Sequence, residues 1–225
     1  MKLLKSNLEA ELQKRNSSLS DFLKENDVAK VEDLTLGTVE LFCHREGINL
    51  TNLLSYNLTV DKAKAKQIKL LILDVDGVMT DAGMFFSENG DQIKKYNAKD
   101  GMAIMALKKS GVDVGIISSG FKLEMVKARA ELLMIEHLYV GRDPKLDILN
   151  AWCQKLNIQL SEVGIIGDDI NDLPVMKSVG FSAAPADAVP AVKEYVDLVL
   201  SKDGGRGCVR EFIDHYLLDE PLLSK

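Results

Sequence analysis

The stretch Asp74-Val75-Asp76-Gly77-Val78-Met79-Thr80-Asp81 sets two carboxylates one residue apart directly after an apolar run. Two such groups repel each other unless a cation or a proton intervenes, so the pair suggests chemistry. An acidic turn closing a strand is the plain alternative, because Asp and Gly are common there. Further polar groups follow apolar runs downstream. Ser118 and Ser119 precede Gly120 and offer hydroxyl donors, although serines at such places also cap helices or form turns. In Gly141-Arg142-Asp143-Pro144-Lys145 a lysine opens a helical pattern against the macrodipole, which suggests a purpose beyond surface charge. Gly167-Asp168-Asp169-Ile170-Asn171-Asp172 supplies a second acidic cluster, of which one or two members also suit a helix start.

These groups need a scaffold that brings them together. Short β-rich apolar runs at 68–75, 112–117, 137–140, 163–166 and 196–200 predict strands, and helical spacing fills 101–109, 122–133, 144–156 and 172–179. Strand and helix in alternation predict an α/β fold, a Rossmann-like parallel sheet with helices on both faces. Ligands of such sheets bind beyond the carboxyl ends of the strands. Acid pair, hydroxyl, amine and acid cluster each follow a different predicted strand, and that order is hard to obtain by coincidence.

The preceding 1–66 read differently. Apolar residues from Leu8 to Leu54 recur at helical spacing and predict three or four short helices; 61–66 lacks large apolar residues and reads as a linker or helix end. The expected organisation is a helical appendage and linker at 1–66 and a catalytic domain at 67–225. The end of the first part, REGINLTNLLSY, has the look of the last helices of small helix-turn-helix domains. Its charges balance, however, so a packing or oligomerisation module is the expectation. Cys43 and His44 are adjacent but lack further metal ligands nearby, which fits a core position and a helix surface better than a metal site.

The formal net charge of −6 argues against a nucleic-acid partner, since phosphate backbones recruit clustered Lys and Arg. Cys43, Cys153 and Cys208 form no CxxC pair and suit a reducing compartment. No stretch approaches the ~18 apolar residues of a membrane span, and the first residues lack a signal-peptide core. A soluble, cytoplasmic protein without a membrane partner is expected.

DVDGVMTD, the serine after VGII, Lys145 and GDDIND together resemble, in order and spacing, the motifs of the haloacid dehalogenase superfamily across most of 68–217. The resemblance implies a Mg²⁺-dependent phosphatase. Asp74 would attack phosphorus to form an aspartyl-phosphate, and Asp76 would serve as acid and base. Mg²⁺ would be held by Asp74, the main-chain carbonyl of Asp76 and Asp168. Lys145 would offset phosphoryl charge, and Ser118 would donate to a phosphoryl oxygen, with Ser119 exchanging roles if the strand end shifts by one. Asp169 and Asp172 would be an outer ligand and an orienter of Lys145 or of metal-bound water.

Many members insert a cap domain, but 81–112 offers only a hairpin-like stretch (Met84 to Phe86, Gly90, Gln92 to Tyr96) and one helix, and 119–145 one helix and one strand. No cap fits, and another subunit is the obvious cover for the site. Lys94-Lys95-Tyr96-Asn97-Ala98-Lys99-Asp100-Gly101, GFSAAPAD at 180–187 and Gly204-Gly205-Arg206-Gly207-Cys208-Val209-Arg210-Glu211 resemble the uncapped 3-deoxy-D-manno-octulosonate 8-phosphate phosphatases. Relatives acting on nine-carbon sialic-acid-type 9-phosphates share these features. The resemblance implies a phosphorylated keto-deoxy sugar acid as substrate, a role in lipopolysaccharide biosynthesis, and a homotetramer whose glycine-rich tail closes a neighbour's site. Arg206 would meet the substrate carboxylate or phosphate, while Asn97, Asp100 and Gly101 would line the sugar pocket. The octulosonate enzymes usually place Thr-Gly-Arg after the second strand, where this chain has Ser118-Ser119-Gly120-Phe121, so a nine-carbon substrate stays open. A broad small-phosphate phosphatase and a non-catalytic regulatory subunit are the other readings; retention of all the catalytic groups speaks against the latter.

Overall fold

The computed structural model describes residues 2–88, 92–120 and 122–218. Gly90 of the expected hairpin and Phe121 lie outside the described residues. Contacts divide the chain into two compact units, Met1–Val60 and Asp61–Lys225.

The first unit holds α1 (Lys2–Gln13), α2 (Leu19–Glu25), α3 (Leu36–Glu46) and α4 (Leu50–Ser55). Ser18, Thr35 and Asn49 cap α2, α3 and α4 by accepting main-chain N–H bonds, and Gly47 ends α3 in the left-handed region at φ 67°. Leu8, Leu12, Phe22, Val39, Phe42, Cys43 and Leu53 share one core. Asn7 is fully buried and satisfied: its amide donates to Leu53 O (2.8 Å) and Tyr56 O (2.6 Å) and accepts from Leu58 N–H (2.8 Å). Cys43 is buried and His44 exposed.

The second unit opens with α5 (Lys62–Ala65), where the sequence suggested a linker or helix end. Asp61 accepts from Ala63 N–H and Lys64 N–H, and this cap stabilises a single turn that buries Ala65. Then follow β1 (Leu70–Leu73), β2 (Phe85–Phe86), β3 (Gln92–Ile93), α6 (Ala98–Lys109), β4 (Asp113–Ser118), α7 (Leu123–Leu132), β5 (His137–Val140), α8 (Lys145–Leu156) and β6 (Val163–Ile166). The chain continues through α9 (Leu173–Met176), β7 (Phe181–Ala184), α10 (Pro190–Lys193), β8 (Leu198–Val199) and α11 (Cys208–Phe212).

Six strands form one parallel sheet in the order β5-β4-β1-β6-β7-β8, while β2 and β3 pair separately as an antiparallel hairpin. The order reverses at β1 and β6, so the crevice lies beyond their carboxyl ends. The strands β1, β6 and β7 are wholly buried, consistent with helices covering both faces. One core cluster gathers Leu70, Ile72, Leu149, Val163, Ile165, Val175 and Val192.

The sequence reading missed β7, because Phe-Ser-Ala-Ala lacks the β-branched residues that mark a strand; its burial between β6 and β8 overrides propensity. The helix expected at 172–179 is a 3₁₀ turn, Ile170–Asp172, followed by the short α9. Among the described residues, only the hairpin and α6 separate β1 from β4, and only α7 separates β4 from β5, so no cap domain is inserted. No helix among them is long and apolar enough to cross a membrane.

Candidate active site

β1 delivers Asp74 to the crevice, where Asp74 N–H donates to Ile166 O (3.1 Å) and extends the ladder with β6 by one residue. Lys145, at the start of α8, donates through Nζ to Asp74 Oδ1 (2.6 Å) and Asp172 Oδ1 (2.7 Å). All three side chains are buried. Two charge-assisted bonds, each worth about 1.5–3 kcal/mol, outweigh the roughly 0.3–1 kcal/mol cost of a cation at a helix start. That resolves the misplaced lysine. Asp172 is wholly buried, and its other oxygen accepts from Asp168 N–H (3.0 Å).

Asp168, after β6, faces the loop that follows Asp74. Gly77 there has φ +97°, and a Cβ on it would lie 2.0 Å from Asp168 Oδ2, so only glycine lets the loop pass this carboxylate. Burial, then repulsion from Asp172, pushes the Asp74 carboxyl up to about 7, with Lys145 pulling the other way. Burial, then Asp74, Asp172 and Asp169, pushes Asp168 up to about 8. Burial draws the Lys145 ammonium down, but its two carboxylates outweigh that and hold it above its ordinary value.

Oxygens of Asp74, Asp168 and Asp172 lie within 4.8 Å of one another. Both Asp172 oxygens are already engaged by Lys145 and by Asp168 N–H, so Asp74 and Asp168 are the pair with capacity for a cation. A hard divalent cation such as Mg²⁺ fits this all-oxygen donor set, and its charge would reverse the repulsion that raises both carboxyls.

A cleft of about 320 Å³ opens above these groups, lined by Asp74, Asp76, Ser118, Asp168 and Arg142 among others. Ser118 ends β4, and its Oγ accepts from Gly120 N–H (3.2 Å), which leaves the hydroxyl proton to donate elsewhere. Ser119 also lines the cleft and accepts from Asn171 Nδ2 (3.3 Å). Asp169 is exposed at the rim, capping the 3₁₀ turn through Ile170 N–H (2.7 Å). Asp76 is half-buried and paired with Lys94, whose side chain is largely buried. A second cavity of about 110 Å³ adjoins it, bounded by Asp76, Lys94, Lys122, Met84, Phe86 and Val126.

The structure therefore brings Asp74, Asp76, Ser118, Lys145, Asp168, Asp169 and Asp172 to one sheet edge. It does not bring Asn97, Asp100, Gly101 or Arg206 there. Asn97 caps α6, with Oδ1 accepting from Lys99 N–H (2.9 Å), and its Nδ2 donates to Gly205 O (3.2 Å). Asp100 is 2% exposed and accepts from Arg210 N–H (2.8 Å). A Cβ on Gly101 would meet Arg129 Nη2 at 2.5 Å, so this glycine makes room for a buttressing arginine. Arg206 is exposed beside Asp81, whose carboxyl Lys95 chiefly, and Arg206 less, hold below its ordinary value. The glycines of the tail lie against this chain's own loop: Gly205 N–H donates to Val78 O (2.9 Å).

Sequence reasoning missed the pairing of Lys94 with Asp76 and the places of Arg142 and Asn171 in the cleft. Arg142 and Asn171 sit in segments that already followed strands, so their position was a usable signal. Lys94 carried none, because its reach depends on how the hairpin folds over the crevice.

A parallel sheet reversing at β1 and β6, with a buried Asp–Lys–Asp triad and a second acidic strand end, defines a hydrolase of the haloacid dehalogenase type. A family model for haloacid dehalogenase-like hydrolases matches 94–180. The chain is 42% identical over 163 residues to the 3-deoxy-D-manno-octulosonate 8-phosphate phosphatase of Escherichia coli K12, covering 72% of this chain and 86% of that protein. The crystal structure of the same enzyme from Yersinia pestis aligns with a TM-score of 0.66 at 40% identity, covering 68% of this chain and 82% of that one. The Moraxella catarrhalis enzyme, in complex with magnesium, phosphate and KDO, aligns with a TM-score of 0.66 at 36% identity, over 68% and 87%. The chain belongs to the 3-deoxy-D-manno-octulosonate 8-phosphate phosphatase family of the haloacid dehalogenase superfamily.

Proposed function

We propose that the chain is a Mg²⁺-dependent phosphatase that hydrolyses 3-deoxy-D-manno-octulosonate 8-phosphate through an aspartyl-phosphate. The observation that carries this reading is the convergence of Lys145 on Asp74 and Asp172 beside Asp168, at the crevice of a chain 42% identical to such an enzyme.

Asp74 is the nucleophile: a carboxylate oxygen bonds to phosphorus as the bond from phosphorus to the sugar oxygen breaks. Asp76 gives its proton to the departing alkoxide, then takes one from the water that attacks the aspartyl-phosphate, releasing inorganic phosphate and restoring Asp74. Mg²⁺, held by Asp74, Asp168 and the main-chain carbonyl of Asp76, supplies positive charge that lets a carboxylate approach a phosphate dianion. Lys145 keeps Asp74 ionised and offsets phosphoryl charge, Asp172 orients Lys145, Ser118 donates to a phosphoryl oxygen, and Asp169 is an outer ligand.

Recognition of the sugar rests on a homotetramer. Met84, Phe85, Phe86 and Ile93 are each more than half exposed on a two-stranded hairpin, a structure marginal in water by itself. Covering that face with neighbouring copies buries it and roofs the cleft, and the exposed Arg206 then serves an anionic group of a sugar acid. The unit Met1–Val60 acts as a packing or oligomerisation module, which its own core and the exposed Leu36 and Leu41 support. The three cysteines are free, in keeping with a cytoplasmic location.

The test is phosphate release by the purified protein with Mg²⁺ from octulosonate 8-phosphate, nonulosonate 9-phosphates and simple esters, compared as kcat/KM. A preference of at least about tenfold for the eight-carbon ester is expected. The departure at Ser118-Ser119-Gly120-Phe121 leaves a nine-carbon substrate as the second reading, and a higher kcat/KM for the nonulosonate ester would establish it.

A further inference from the structure

The tail loop 203–207 is fastened at both ends, and the two fastenings connect α6 to the loop carrying Asp76. On one side, Gly204 and Gly205 lie directly on the loop after β1. A Cβ at Gly204 would sit 2.0 Å from Gly77 O, and one at Gly205 would sit 2.5 Å from Asp81 N. Gly205 N–H and the Cys208 thiol both donate to Val78 O, at 2.9 Å and 3.3 Å. On the other side, α6 holds the same loop through two side chains. Asn97 Nδ2 donates to Gly205 O (3.2 Å), and Asp100 Oδ1 accepts from Arg210 N–H (2.8 Å), with Gly207 N–H also directed at this carboxylate. Asp100 is 2% exposed, and its Oδ2 is buried without a partner. A buried carboxylate with a spare oxygen is costly, so its retention points to the N–H groups it gathers.

The nucleophile loop has no slack on its far side either, since Gly77 abuts Asp168. The loop is thus wedged between Asp168 and the glycine tail. We infer that Asn97 and Asp100 are positioning residues for the hydrolysis, holding the tail against 77–81 so that Asp76 and Asp168 keep their spacing. This rests on the phosphatase reading but replaces the sugar-lining role that resemblance implied for both residues. A misplacement of about 1 Å at such a site costs on the order of 100-fold in rate, so the effect belongs in kcat.

The test compares Asp100→Ala, Asp100→Asn and Asn97→Asp with the wild-type full-length protein and Mg²⁺, on octulosonate 8-phosphate and on a simple aryl phosphate. Asp100→Ala should lower kcat by about tenfold or more on both esters alike, with KM within about twofold. Asp100→Asn retains an acceptor for the N–H groups and should stay within about threefold of wild type. Asn97→Asp keeps the cap of α6 but sets an oxygen against Gly205 O, so it should reproduce the kcat loss even if Asp100→Ala fails to fold. A KM rise confined to the sugar acid ester would overturn the inference in favour of substrate contact. So would unchanged kcat in folded Asp100→Ala or Asn97→Asp, or an Asn variant as impaired as the Ala one. A wild type inactive on both esters would overturn the phosphatase reading together with this one.

Discussion

The two sides of the cleft are built on opposite plans. Around Asp74, the central charges are buried and paired: Lys145 bridges Asp74 and Asp172, and Asp172 also receives Asp168 N–H. Around the hairpin, Met84, Phe85, Phe86 and Ile93 stand 59–67% exposed. Lys94 ties that side to the site, through Asp76. The difference separates two tasks. Groups that must hold a reacting phosphorus in place are completed within one chain, where packing fixes them to tenths of an ångström. The surface that would meet the sugar is left apolar and open, a form that acquires its shape only when something covers it.

The largest effect should come from the buried side. Asp74→Asn keeps the shape and the contact with Lys145 but removes the nucleophile, and turnover should fall on the order of 10³-fold or more on every ester, with an unchanged circular dichroism spectrum. Near-normal turnover would sink the mechanism. Lys145→Met should come next. It leaves Asp74 and Asp172 as facing buried carboxylates, so stability should drop by about 3–5 kcal/mol, and kcat by roughly 100-fold. Thermal unfolding with and without Mg²⁺ checks the cause, since added cation should recover part of the lost stability. Equal shifts in both conditions would place Lys145 outside the charge balance of the site.

The open side should respond selectively. Phe86→Asp puts a charge on the exposed hairpin face, and by sedimentation the proposed homotetramer should dissociate. Its kcat/KM for the sugar acid ester should fall by about tenfold while that for a small aryl phosphate stays within about twofold. A dissociated protein with full activity on the sugar ester would erase the distinction between the two sides.

This contrast also marks how far the sequence could be read. Asp74, Asp168 and Lys145 were legible because each follows a strand, and in a parallel sheet the strand ends meet at one edge whatever the loops do. The strand β7 was hidden by its small residues, and the one-turn α5 by a segment with no large apolar residue. Lys94 was hidden for a different reason. Adjacent lysines look alike in sequence, but Lys94 turns inward to Asp76 and Lys95 outward to Asp81 (2.8 Å), a choice made by the hairpin's placement. Asp100 and Gly101 show the converse. Motif resemblance carried their positions but not their surroundings: the Asp100 carboxylate turns to Arg210 N–H beside the tail, and Gly101, with no side chain, makes room for Arg129.

The smallest effect tests whether the hidden Asp100 is strained by its burial as the geometry implies. Burial pushes its carboxyl up to about 6 from an ordinary value of 3.8, against Arg210 N–H, Arg129, Gly207 N–H and the Arg210 charge. Between those two values the unfolded chain has released this proton while the folded protein still holds it. Stability therefore falls as pH rises from about 4 to 6 and the loss persists above, by up to about 3 kcal/mol from this group. An Asn at the position cannot titrate. Asp100→Asn should thus gain stability relative to wild type across that interval, with the difference levelling off above about pH 6. Urea unfolding at pH 4, 5, 6 and 7.5 measures it. A difference that does not change with pH would mean the carboxyl is ionised at its ordinary value, its charge answered by the two neighbouring arginines.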